Sequence, residues 1–370
     1  MKTKFVYLIL SAMVLLLGFS NCSSKEEIEG EDSTETKSVF LKINKEAPIT
    51  YSEESPVGSS STVGFSSGDL YFVNAAGAIL KHYTLSSSLT SGTNISLTDI
   101  QAGKIISNLP GQVAAVHVVG NTSGLPTSGN ISTVKATALQ ITSQSDIAEV
   151  NLYGSAIPTP TSGNSYNCAI TLKPTVARIE LTDMTSTGEI TGFRVDGIFI
   201  DNYYSEATAD GSVDSGDLKS NGSVPATFTD NSVAYPTALK TIAYDYYTSG
   251  ITASSQVAAP ATSGDVWAYN LFANTTVGAF AVPRIIIRLS NITTNDGSTY
   301  ASPQFITIKG LKDSGVSLTA IEAGKVYNIG AGAFSFKETD LTPAPNMNAI
   351  DVTVTVTLAT WTIVDVTPEL

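Results

Sequence analysis

Side chains suited to catalysis or metal binding are scarce in this chain. Its 370 residues include only two histidines, His82 and His117, and neither has another His, a Cys or a carboxylate at ligand spacing. His117 lies in an apolar stretch and reads as a strand histidine with a satisfied ring. Serine is abundant, but no G-x-S-x-G elbow stands between a strand and a helix. Gly330-Ala331-Gly332 lacks the strand-to-helix setting of a nucleotide loop and reads as a turn. We expect no enzyme, no cofactor and no metal. Cysteine is equally rare, at Cys22 and Cys168. With Cys22 a candidate for modification, no disulfide framework is expected, and Cys168 beside Ala169 and Ile170 reads as a small buried apolar residue. Charge is thin at 14% of residues, below the usual quarter or so. Basic residues number 20 against 33 acidic ones, for a net charge of −13. Such a balance excludes the basic footprint that nucleic-acid phosphates need.

Ser, Thr, Gly and Asn fill the space that charge leaves. Hydrophobic residues make up 42% of the chain, enough for real cores. The length suggests two domains. Many short alternating runs with turn signals between them, and almost no helix, predict an all-β protein built as two sandwiches. No internal sequence repeat at solenoid spacing is present.

Residues 1–21 read as a leader. Lys2 and Lys4 form a positive start, and Phe5 to Leu17 is an apolar run too short to span a bilayer comfortably. Its removal takes two positive charges and no acids, so −13 becomes −15. The run ends in Gly18-Phe19-Ser20-Asn21-Cys22, similar to a bacterial lipobox in which Cys22 is diacylated through sulfur; ordinary secretory cleavage is the alternative. Two or three acyl chains hold a membrane where one is marginal. Residues 22–37, opening Ser23-Ser24-Lys25-Glu26-Glu27, read as a flexible acidic tether.

The N-terminal domain is placed at 38–165. Ser38 to Asn44 is its first strand, with Val39, Leu41 and Ile43 on one face. The Ser- and Gly-rich run from Ile49 to Ser67 is an exposed loop of the kind proteases cut. Leu70–Val73 and Ala78–Leu80 flank a hairpin signal. Further strands are expected at Asn94–Leu97, Gln112–Val119 and Leu152–Gly154, and the best helix candidate is Thr133–Gln144. Pro158–Gly163 is the strongest linker signal. The C-terminal domain is placed at 166–370, with strands at Cys168–Leu172, Val176–Leu181, Phe193–Ile200, Val266–Ala273, Pro283–Leu289, Phe305–Lys309, Lys325–Ile329 and Phe334–Phe336. Asp210, Asp214 and Asp217 supply oxygens of the kind calcium takes, but fit no EF-hand spacing and read as a solvated turn. Tyr203, Tyr204, Tyr244, Tyr246, Tyr247 and Trp267 form either a sugar-binding platform or sandwich core.

The tail, 349–370, is the most regular stretch. Ile350, Val352, Val354, Val356 and Leu358 point one way; Asp351, Thr353, Thr355 and Thr357 point the other. At about 3.3 Å per residue this strand reaches roughly 30 Å. Trp361 breaks the parity, which predicts a bulge near Ala359. Burying five such aliphatics contributes on the order of 7–15 kcal/mol gross, so the tail must occupy a groove, in its own sheet or in a neighbouring molecule.

Taken in order, the lipobox-like leader, Leu152-Tyr153-Gly154, Val176-Ala177-Arg178-Ile179, Ala323-Gly324-Lys325-Val326-Tyr327, and Val352-Thr353-Val354-Thr355-Val356 with Trp361 resemble FimA-type fimbrillins of the Bacteroidota. The resemblance spans nearly the whole chain. It implies two transthyretin-like β-sandwich domains with Greek-key connections, export as an outer-membrane lipoprotein, and assembly into a surface fimbria for adhesion or biofilm formation. It implies that a protease removes the leader with the first strand (Val39, Leu41, Ile43). A terminal strand from the next subunit (Ile350, Val352, Val354, Val356, Leu358, with Trp361) would then fill the groove. The partners implied are copies of this chain or related subunits, the outer membrane before processing, and a host glycan or protein receptor. The family's best-known cleavage follows an arginine, whereas no Arg precedes Arg178 here. Lys45 is the nearest basic substitute after the first strand. Either another protease acts, or the subunit keeps its strand and lipid as a non-polymerising anchor. The intact tail favours a stalk position. A monomeric surface lipoprotein binding glycan through its tyrosines is the rival reading.

Overall fold

Alternation of apolar and polar residues becomes β-strand along most of the chain. A computed structural model describes residues 36–45, 64–87, 94–144, 150–219, 237–240, 242–258, 266–274, 282–345 and 349–358. The first ten strands are β1 (Thr36–Lys45), β2 (Ser67–Val73), β3 (Ile79–Ser86), β4 (Asn94–Ser96), β5 (Lys104–Pro110), β6 (Ala115–Gly120), β7 (Ala138–Gln140), β8 (Leu152–Ala156), β9 (Thr159–Ser162) and β10 (Ser165–Pro174). There follow β11 (Val176–Leu181), β12 (Asp183–Ser186), β13 (Ile190–Asp201), β14 (Tyr203–Tyr204), β15 (Glu206–Thr208), β16 (Leu218–Lys219), β17 (Tyr244–Ala253) and β18 (Gln256–Ala258). The last are β19 (Trp267–Phe272), β20 (Arg284–Thr294), β21 (Gln304–Asp313), β22 (Val316–Ser317), β23 (Lys325–Ile329), β24 (Ser335–Phe336) and β25 (Ala349–Leu358).

Two large sheets carry the fold. One runs β4-β3-β2-β6-β8-β10-β1-β5 and the other β17-β13-β20-β21-β25-β23-β11-β19. Each bends into two layers at a strand that pairs with both. In the first, β10 pairs with β1 up to Leu172, then with β8 through Lys173 and Pro174. In the second, β25 pairs with β21 up to Val354, then with β23 from Thr355.

The two sheets repeat one pattern. β1, β2, β3, β5, β6, β8 and β10 correspond in chain order to β11, β13, β17, β19, β20, β21 and β23. Every pairing sense is preserved: β1 is parallel to β10 as β11 is to β23, and β1 is antiparallel to β5 as β11 is to β19. The β3-β2-β6-β8 meander is antiparallel throughout, as is β17-β13-β20-β21. β25 has no counterpart in the first set. It is inserted between β21 and β23, whose equivalents β8 and β10 pair directly.

Three expectations are corrected. Of the expected helix Thr133–Gln144, Thr133 to Lys135 fall in the short helix Ile131–Lys135, capped by the Asn130 side chain on Ser132 N, and Ile141–Ser143 forms a single 3-10 turn. Between them the chain forms β7, because that segment finds backbone partners in β15; tertiary pairing outweighs a weak helical propensity. Pro158–Gly163 is not a free linker: β9 forms a short exposed arm antiparallel to β10. Leu97 begins the helix Leu97–Ala102, capped by Ser96, rather than ending a strand. The change of sheet comes at Thr175, after β10, whereas the sequence division was drawn near residue 165.

Polar side chains join the two strand sets. β7 pairs with β15, and Ile141 N donates to Ser205 O at 2.9 Å. Buried Asn151 donates through Nδ2 to Ala209 O at 2.9 Å and through its backbone N–H to Gln144 Oε1 at 2.8 Å. Asn270 Nδ2 donates to Gln144 O at 3.1 Å. Each of these amides is buried, so each bond removes a desolvation cost that would otherwise stand unmet.

Candidate functional site

β1 is held along both edges. Its eight residues from Ser38 to Lys45 pair in parallel with Ser165 to Leu172 of β10. On the other side Thr36 to Leu41 run antiparallel to Pro110 to Lys104 of β5, with an irregularity between Lys37 and Val39. Val39, Leu41 and Ile43 all lie in the core. Burying three aliphatic side chains is worth about 5–9 kcal/mol gross. Lys37 pins the start: its Nζ donates to Val113 O at 2.9 Å and lies 4.7 Å from the Tyr166 ring centre. Removing β1 would leave a slot between β10 and β5, with unpaired backbone on both walls and apolar side chains in its floor.

Sequence reasoning missed one wall of this slot. β5 carries Ile105 and Ile106 side by side and breaks at Ser107-Asn108, where Asn108 takes a positive φ of 58°. Alternation is thus too short to signal a strand. The other wall contains Cys168, whose Cα is in register with Leu41. Burial pushes its thiol up to about 12. In a Cys22→Ser background, Cys168 is expected to resist alkylation while β1 is in place and to react at least about 100-fold faster once β1 is gone, since thiolate character and access control the reaction. Timed alkylation read by mass spectrometry checks this; equal rates before and after removal would show that Cys168 does not lie beneath β1.

The chain re-enters the fold at a separate anchor. Asn121 takes a positive φ of 56°. Its Nδ2 donates to Gly64 O at 2.7 Å and Val150 O at 3.0 Å, and its Oδ1 accepts from Ser66 N at 3.0 Å. Phe65 packs against Gly68 and Gly120, where an added Cβ would come within about 3 Å of the Phe65 ring. The start of β2 is thus fastened independently of β1.

The tail lies in its own molecule. β25 runs parallel to β21 and then antiparallel to β23, so of the two grooves open to it, the described strand occupies that of its own sheet. Cys22 and Trp361 lie outside the described residues, as does the bulge expected near Ala359. Lys45 forms the last backbone pair of β1, opposite Leu172.

The other clusters are structural. Tyr203, Tyr204, Tyr244 and Trp267 are buried; Trp267 Nε1 donates to Tyr247 Oη at 2.8 Å. Among the described residues no group of three or more His, Cys, Asp or Glu is arranged to hold a metal. Asp214 caps its own turn through Gly216 N at 2.8 Å. Asp210 pairs with Lys135 at 3.0 Å and accepts from Thr208 and Ser212 hydroxyls; burial pushes its carboxyl up, but these bonds prevail and hold it below the usual value. His82 shares a bond with Asp69 at 2.7 Å, and His117 Nδ1 with Tyr153 Oη at 2.8 Å.

Burial, with Lys135 nearby, lowers the His117 imidazole below its ordinary value. As pH falls through the ordinary histidine range near 6.5, the unfolded chain takes up this proton first, so stability is full above that range and declines below it. His117→Gln is expected to flatten part of the decline in melting temperature between about pH 7 and about pH 5. An unchanged slope in thermal melts would show that His117 contributes nothing to it.

No protein-family model matches the sequence, and no curated protein matches it. Solved structures do. A candidate cell adhesion protein from Bacteroides eggerthii DSM 20697 is similar at 15% identity, covering 90% of this chain and 98% of that one, with a TM-score of 0.51. Another from Parabacteroides distasonis ATCC 8503 shares 11% identity over 88% of this chain and 99% of its own, at 0.55. A fimbrilin from Porphyromonas gingivalis W83 shares 12% identity, covering 90% and 99%, at 0.47. The first two establish a likeness of fold.

Proposed function

We propose that this chain is a structural subunit of a cell-surface fimbria rather than an enzyme, and that it assembles by proteolysis-triggered strand exchange. The observation that carries the reading is the position of β1. It is the first strand of the described chain, it is interior to its sheet, and its three core side chains are joined to the rest only through residues 46–63. Cutting that connection would turn a complete sheet into a slot with two unpaired walls. Main-chain hydrogen bonds then supply affinity and alternate side chains fill pockets, as in other strand-addition interfaces. The Asn121 anchor keeps the new N-terminus from unravelling.

The tail is the donor in this reading. Apart from the two-residue β22 at its edge, β25 is the strand of its sheet without an equivalent in the other set, so its departure leaves the repeated pattern whole. The two domains, drawn from the sequence at 38–165 and 166–370, would instead meet near Thr175, since β10 completes the first sheet. Cys22 would carry lipid and hold the precursor at the outer membrane; copies of the chain or related subunits would be the partners in a stalk. Lys45 is the basic residue nearest the end of β1, and because it is paired with β10, cleavage there would require that end to fray. The glycan-binding rival loses its platform, since four of its six aromatic residues are buried.

Mass spectrometry of the N-terminus of surface-exported protein tests the proposal. A start between residues 46 and 63, in material sedimenting as filaments, is the expected result. A lipid-bearing Cys22 on a protein that remains monomeric after proteolysis would overturn it and leave the anchor role.

A further inference from the structure

The internal duplication assigns a contact surface. In the second strand set the outward residues of β11 and β19 are covered: Arg178, Glu180, Ala268 and Asn270 are all buried. Asn270 bonds Gln144, in the connection between β6 and β8 of the first set. In the first set the same two strands are bare. Phe40 on β1 is 36% exposed and Ile105 on β5 is 63% exposed. They are direct cross-strand neighbours, whereas the other large apolar side chains exposed among the described residues, Ile157 and Val316, lie on other segments. One face of the repeated fold is thus buried in one half and open in the other.

We infer that the outward face of β5 and the strand beside it receives the second half of another copy, repeating between molecules the packing that joins the halves within one. The element equivalent to the β6–β8 connection is the one between β20 and β21, residues 295–303, and Tyr300 is its large side chain. It would meet Ile105 of the next copy. This contact has different patches on its two sides, so it does not close on itself and extends into a filament. Exposed apolar neighbours of this kind mark association surfaces.

Processing strengthens the contact. The Phe40 ring rests on Gly103, where an added Cβ would collide with it. When β1 leaves, Phe40 leaves too, and Ile105 and the Gly103 backbone become more accessible. The inference rests on the reading of this chain as an assembling subunit, but not on which strand fills the slot.

Two proteins with one introduced cysteine each, Ile105→Cys and Tyr300→Cys, both with Cys22→Ser and with Cys168 retained, test it after cleavage of the connection at 46–63, the 105–300 bond being identified by peptide mapping. Under mild oxidation they are expected to form a mixed disulfide at least tenfold faster than Ile105→Cys with Val316→Cys, a control on an exposed second-half strand. No preference over the control, in samples that form filaments and protect Cys168, overturns this contact alone. A preferred 105–300 bond without protection of Cys168 upholds it and rejects strand exchange. As a second measurement, Ile105→Lys should cut filament yield at least tenfold while Cys168 remains protected by an added peptide of residues 349–370. Unchanged yield would count against the surface.

Discussion

Deleting residues 349–370 is expected to abolish filaments while leaving both strand sets folded. The internal duplication is what makes this outcome expected. The first set stands with seven repeated strands and no equivalent of β25, so the second set has a folded precedent for doing without it. The deletion does remove a strand hydrogen-bonded to both β21 and β23. A loss of about 3 kcal/mol would lower the melting temperature by on the order of 10 °C in a half of this size. Circular dichroism should therefore retain the strand signal at room temperature, and electron microscopy of the cleaved protein should show no polymer. Adding the peptide of residues 349–370 should protect Cys168 without restoring length, since a capped subunit has no tail to pass on. A truncated protein that still polymerises would remove the tail from the mechanism; one that unfolds would make β25 an integral strand instead of a donor.

Leu41→Ala should have the second large effect. Its side chain is fully enclosed, and truncation of a buried leucine costs about 2–5 kcal/mol through lost transfer energy and the cavity left behind. In the intact precursor that cost appears as lower stability. After cleavage at 46–63 it appears as faster departure of β1. If the strand has left its pockets in the rate-limiting state, about 2.8 kcal/mol corresponds to roughly 100-fold. Cys168 alkylation after cleavage measures the rate. Lys42→Ala, on the opposite face of the same strand, should change it less than about threefold, as surface substitutions usually do. Equal rates for Leu41→Ala and the parent protein would mean that β1 is not what limits opening of the slot.

Much of the fold could be read from single residues. Val39, Leu41 and Ile43 alternate cleanly, and all three are in the core. Cys168 among apolar neighbours is buried as its surroundings suggested. The failures share a cause. β5 and β17 interrupt their alternation, with Ser107-Asn108 in one and Tyr246-Tyr247 in the other, so period alone did not expose them. Thr133–Gln144 has the local look of a helix, but Leu139 and its neighbours pair with β15, which is distant in sequence. The duplication left no trace as a sequence repeat because pairing order constrains which faces are apolar and leaves residue identities free. For the candidate site, the sequence pointed to both strands. It did not disclose which walls flank β1, nor that β25 rests between β21 and β23.

The seam formed by Asn151, Gln144, Asn270 and the β7–β15 pair has a mechanical corollary. In the proposed fibre, each subunit would be pulled along its length whenever liquid moves past the cell. Tension passing from one half of a subunit to the other must cross that seam, where enclosed amide bonds share the load with backbone pairs. Separating them would strand polar groups in a dry interior, so the joint should stretch stiffly and give way abruptly. A rod built this way bends little within each subunit, and whatever compliance it has under flow must come from the places where one subunit meets the next.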